Sequence, residues 1–128
     1  MEYYISKVLN NSYDEAVKIT VEALKSEGFG VISEINMHEK LMEKVGVDFK
    51  RYKILGACNP LYAYKALQAE DKIGAMMPCN VLVIEQGQNK IEIAAVNPIA
   101  SMQAIKNPTL GEIALEITGK LKKVINSI

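Results

Sequence analysis

The chain is expected to fold as a single α+β domain over residues 1–128, a roughly five-stranded and mainly antiparallel sheet with packed helices. Three observations predict this. Segments with a two-residue hydrophobic period and segments with a helical period follow one another in the order β-α-β-α-β-α-β-β-α. The two strand-like runs near the C-terminus, MMPCNVLVIEQ and KIEIAAVN, are separated by Gly87-Gln88-Asn89, a hairpin turn that demands antiparallel pairing and argues against a doubly wound parallel fold. No linker-like composition shift or tandem repeat divides the 128 residues, and a chain near this length buries roughly two-thirds of the surface it exposes when unfolded.

Residues 2–9 alternate, with Tyr3, Ile5, Lys7 and Leu9 on one face and Tyr4, Ser6 and Val8 on the other, which predicts a first strand. Ser12 and Glu15 have capping-box spacing, and Ala16, Ile19, Thr20 and Ala23 make an apolar helical stripe that Gly28 closes. FGVISEI from Phe29 reads as a second strand. Asn36 and Glu39 are spaced like a cap for a short helix carrying Leu41, Met42 and Val45, which Gly46 ends. RYKILGAC, residues 51–58, is a third strand. It runs into Asn59-Pro60, an N-cap residue followed by a proline preset for the first helical position, and a helix is expected from there to Gly74. After the hairpin, Thr109 and Glu112 have capping-box spacing, and Ile113, Ile117, Leu121, Val124 and Ile128 keep helical spacing to the end. The two hairpin strands are apolar on both faces in places, as with Leu82 and Ile84 against Val81 and Val83. A sheet covered on one side does not need that, so either helices cover both faces or a second subunit covers the open one, and a homodimer is the expectation.

The composition, 49% hydrophobic and 23% charged, belongs to a globular chain and not a disordered one. Fifteen basic and fifteen acidic residues cancel, and a nucleic-acid binder carries a basic excess. The short cluster Lys50-Arg51-Lys53 is read as a solvated edge, so no nucleic-acid partner is expected. No apolar run approaches the ~18 residues of a membrane span, and MEYYISKVL lacks a signal peptide's basic start and long apolar region. A cytoplasmic protein with two reduced thiols and no membrane association is the expectation.

Those thiols stand in related settings, Cys58-Asn59-Pro60 within LGACNP and Pro78-Cys79-Asn80. LGACNPLYAYKAL at 55–67 and IGAMMPCNVLVIE at 73–85, with NPIASM at 97–102 and the amphipathic last helix, resemble the bacterial and archaeal domain-of-unknown-function family numbered 302. The resemblance covers essentially the whole chain and implies a compact, dimeric α+β domain. It implies no activity. One departure is Asn97 before Pro98, where relatives are expected to carry an acidic residue; a carboxylate ligand there would make this chain's site the weaker one.

Three readings of Cys58, Asn59, Cys79 and Asn80 follow. In the first they form a corner for a small molecule, with Asn59 capping the helix, Asn80 orienting the ligand, and Met76, Met77 and Leu61 as walls; a helix N-terminus and two amides would suit an anionic or amide-bearing ligand. In the second, which needs the third and fourth strands to be antiparallel neighbours, Cys58 and Cys79 act as thiolates favoured by the helix end. They then bind a soft metal such as zinc or copper, or cycle as a dithiol. Two ligands are too few for a closed zinc site. In the third they are packing residues of a structural dimer, since cysteine packs as a small hydrophobe. No cofactor is required by the first or third. His38, the one histidine, opens the short helix and is read as solvated, and no serine sits in a nucleophile-elbow context, so no catalytic constellation is recognised.

Overall fold

The alternating N-terminal segment forms β1 (Tyr4–Leu9) in the computed structural model, which describes residues 1–128. Helix α1 (Tyr13–Ser26) starts where Ser12 Oγ accepts from the Glu15 amide at 3.2 Å. Only half of the expected capping box forms, because the Glu15 carboxylate accepts instead from Asn11 Nδ2 at 3.4 Å. At the other end Gly28 takes φ 86°, which lets its own amide and that of Phe29 donate back to Lys25 and Leu24. Strand β2 (Gly30–Asn36) passes straight into α2 (Met37–Val45). Here Asn36 makes no backbone cap and donates to the Glu39 carboxylate at 3.2 Å.

Strand β3 (Tyr52–Cys58) leads into α3 (Pro60–Ala69), which stops short of the expected Gly74 and is followed by a separate 3₁₀ turn over Asp71–Met76. The Asn107 side chain donates to the terminal Ala69 carbonyl at 2.8 Å and so satisfies an acceptor the helix leaves open. Strands β4 (Cys79–Gly87) and β5 (Lys90–Val96) make the expected hairpin, with Asn89 at φ 53°. A short helix α4 (Pro98–Ser101), not foreseen in the sequence, precedes α5 (Pro108–Ser127). The cap of α5 is Asn107, whose Oδ1 accepts from the Leu110 amide at 3.2 Å, in place of the expected Thr109.

The five strands form one sheet in the order β1-β5-β4-β3-β2, each pair antiparallel. Helices α1 and α5 pack on one face, over Leu55, Ala57, Val81, Val83, Ile91, Ile93 and Ala95. This confirms the α+β class and the five-stranded antiparallel sheet with packed helices. Helix α3 leans on α5, and a second small core forms there from Ala66, Ile73 and Leu110. No helix is long and apolar enough to cross a membrane.

Alternation places Tyr4, Val8, Ile35, Ile54, Leu82 and Ile84 on the opposite face, where Tyr4, Val8 and Ile35 are exposed. At one end of that face Gly56 lies beneath Ser33 and Pro78. A Cβ on Gly56 would come within 2.7 Å of Pro78 Cγ and 2.1 Å of Ser33 Oγ. A serine hydroxyl can rotate away, whereas a proline ring cannot. Gly56→Ala is therefore expected to destabilise the fold by about 1–3 kcal/mol, the usual cost of overpacking, read as a lower urea midpoint. An unchanged midpoint would mean that the Pro78 segment moves aside freely.

Candidate functional site

Because β3 and β4 run antiparallel with Ala57 opposite Cys79, the last residue of β3 and the first of β4 lie together at one end of the sheet. Cys58 and Cys79, both half-buried free thiols, are thus neighbours. Beside them opens a cavity of about 370 Å³, bounded by the two strand ends, α3, the 3₁₀ turn and the facing side of α5. Phe29, Ala57 and Ile117 form its depth, all nearly inaccessible to solvent. Ala63 and Ala66, one turn apart on α3, and Ala114 on α5 line it with side chains too small to fill the space. Its lining also includes Ile32, the extra residue of a bulge between Val31 and Ser33, which is 65% exposed.

The walls are apolar: fifteen of the eighteen lining residues are hydrophobic, so the cavity suits neither an anion nor a strongly polar molecule. Burial pushes the Cys79 thiol up from its ordinary 9.0 to about 11, and the nearby Cys58 adds to the effect. Desolvation therefore outweighs any pull of the α3 N-terminus toward thiolate, and Cys79 is a protonated thiol at neutral pH. Burial thus works against the expected activation of Cys79 as a thiolate.

The four expected site residues divide. Cys58, Asn59 and Cys79 line the cavity. Asn59 occupies the N-cap position of α3 but makes no side-chain cap; its Nδ2 donates 3.2 Å to the Glu27 carbonyl, tying the end of α1 to the start of α3. Asn80 lies opposite Gly56, exposed, and borders an adjoining groove of about 240 Å³ with Pro78 and Ser101. Of the expected walls, Met76 and Met77 are present, whereas Leu61 is not among the lining residues and is 60% exposed.

His38 is not solvated but half-buried, with Nδ1 accepting from the Tyr52 amide at 2.9 Å, at the far end of β3 from Cys58. Asn97 is nine-tenths buried and uses both ends of its amide: Nδ2 donates to the Glu2 carbonyl at 3.1 Å and Oδ1 accepts from the Ile99 amide at 3.2 Å. A carboxylate could not make the first of these bonds, so Asn97 here ties down the chain before β1. Sequence reasoning missed Ala63, Ala66, Met102 and Ala114 as cavity residues, whereas Tyr62, one of the tyrosines flanking LGACNP that could line a cleft, does line it. The alanine spacing on α3 was the available signal, although it reads equally well as close helix packing.

The raised Cys79 thiol has a measurable consequence. Alkylation of reduced protein with iodoacetamide, located by peptide mass, should label Cys79 slowly at neutral pH and faster only as pH climbs toward 11. Because the folded state holds this proton more tightly than the unfolded one, its contribution to stability is intact below pH 9.0 and lost as pH rises through about 11. Labelling of Cys79 at neutral pH as fast as a free thiol would contradict this.

A crystal structure of an uncharacterised conserved protein DUF302 from Bacillus stearothermophilus superposes with a TM-score of 0.90 at 29% identity, over 98% of each chain. An uncharacterised protein from Aquifex aeolicus (strain VF5) is 20% identical, over 98% of this chain and 83% of its own length. The family model described as Domain of unknown function DUF302 matches residues 5–128. That match spans nearly the whole chain and includes both cysteine corners, the cavity helices and the closing helix, so the protein belongs to the DUF302 family.

Proposed function

We propose that the protein is a binding module for an apolar small molecule, held in the cavity beside Cys58, Asn59 and Cys79. The observation that carries this reading is the cavity itself: about 370 Å³ falls within the range of roughly 300–1,000 Å³ typical of ligand sites, with walls of the usual apolar kind. The ligand's polar requirements are small, since the Asn59 amide nitrogen is already engaged by Glu27. Tyr62, under the ammonium groups of Lys65 and Lys120 at 5.4 and 5.9 Å, supplies a polar edge. Nile red, an uncharged apolar dye, is expected to bind saturably. Ala63→Phe, which fills the space from a half-buried position, should weaken that binding about tenfold or more, or ~1.4 kcal/mol and upward, without lowering the melting temperature. No saturable binding, or equal binding by a folded Ala63→Phe variant, overturns the reading.

A second observation supports self-association. The sheet face away from α1 and α5 carries exposed Tyr4, Val8 and Ile35 and partly exposed Ile54 and Leu82, with polar Ser6, Ser33 and Glu92 among them, while Ile84 and Ala94 on the same face are already buried. A homodimer through this face is the occupant we infer. Sedimentation should give a dimer at high micromolar concentration and a monomer for Leu82→Arg; a wild-type monomer under those conditions would rule it out.

A further inference from the structure

Both cysteines and three of the chain's six methionines line one cavity: Cys58, Cys79, Met76, Met77 and Met102. They arrive from separate places, the end of β3, the 3₁₀ turn and the segment entering β4, the first residue of β4, and the residue after α4. We propose that this cavity binds a soft monovalent metal ion, copper(I), through the two cysteine sulfurs and the methionine thioethers. The inference concerns a different occupant from the apolar molecule proposed above and does not rest on that reading.

Donor chemistry selects the ion. Thiolate and thioether sulfur are soft ligands that favour copper(I), whereas zinc also draws on imidazole and carboxylate and closes its structural sites with four ligands. The chain's one histidine is at the other end of β3, and no group of three or more His, Cys, Asp or Glu side chains lies close enough to hold a metal. A site with two cysteines and otherwise only thioethers is therefore poor for zinc and good for copper(I).

Charge favours the same ion. A monovalent cation with one thiolate is a neutral unit, which an apolar wall accepts, while a divalent ion with the same single thiolate leaves a positive charge uncompensated. One cysteine binds as the thiolate, its proton departing to solvent, and the other binds through its neutral thiol sulfur, with no change in oxidation state. Met76, 43% exposed, stands at the opening and gives an incoming ion its first soft ligand.

The test uses the full, reduced chain without oxygen and copper(I) supplied as its coloured bicinchoninate complex. The protein is expected to withdraw one equivalent of copper from the chelator and to develop ultraviolet thiolate-to-copper absorption. Cys58→Ser and Cys79→Ser should each weaken retention about tenfold or more. Met76→Leu with Met102→Leu, which keeps volume and apolarity, should also weaken it while leaving the melting temperature in place. Failure of folded protein to take copper from the chelator overturns the proposal. So does retention unchanged in folded Cys79→Ser, or stronger retention of zinc than of copper under matched competition. Nile red binding to the copper-free chain is scored separately, so either reading can fail alone.

Discussion

Two antiparallel strands held in register must bring the end of the first beside the start of the second, and most of this molecule's local architecture follows from one such pair. With Ala57 opposite Cys79, the β3–β4 ladder fixes where α3 departs and where the 3₁₀ turn returns. The excursion between them, residues 59–78, has to leave and re-enter at the same sheet end, so it arches over it. The arch leans on α5. The space beneath it is the cavity, and the two thiols at its root are a consequence of register. A shift of one residue would send the Cys79 side chain to the other face and close the arrangement.

The same end of the molecule shows how asparagine is used. Three of the four prolines follow an asparagine at the start of a helix, at Asn59-Pro60, Asn97-Pro98 and Asn107-Pro108. In each, Nδ2 donates to the carbonyl of a remote segment: Glu27, Glu2 and Ala69 respectively. Asn97 and Asn107 also accept a helix-end amide. Proline has no amide hydrogen to satisfy, and the asparagine's second polar end is left free to reach across the fold. These amides are fasteners between elements. With the polar groups spent on the scaffold, the cavity is left with hydrocarbon and sulfur.

Much of this was legible in the residues and some was not, for identifiable reasons. Period-two alternation marked β1, and the aliphatic runs around Gly87-Gln88-Asn89 marked the final hairpin, because strand faces and turns are local properties. Cys58-Asn59-Pro60 and Pro78-Cys79-Asn80 were visible as a pair, but their meeting depended on β3 and β4 being neighbours, which no local signal decides. Asn59 looked like a helix cap because its spacing is that of a cap; the competing Glu27 carbonyl comes from a helix thirty residues earlier. Asn107 outcompeted Thr109 for similar reasons, being held by Ala69 across the fold. The cavity was hidden most completely. Emptiness is what several small side chains on different elements leave between them, and each alanine by itself reads as packing.

The position of β1 at the sheet's edge has a consequence for how the chain reaches this state. Strands β2, β3 and β4 each lie beside the one that follows in sequence, so a nascent chain can add β2 to β5 in the order it is made. The first strand has no such partner. Tyr4 lies opposite Val96 and Leu9 opposite Ile91, so β1, made before the other four strands, stays unpaired until the hairpin has emerged. Closing that long loop is entropically the most expensive step in assembling the sheet, and until it happens β5 has a free edge.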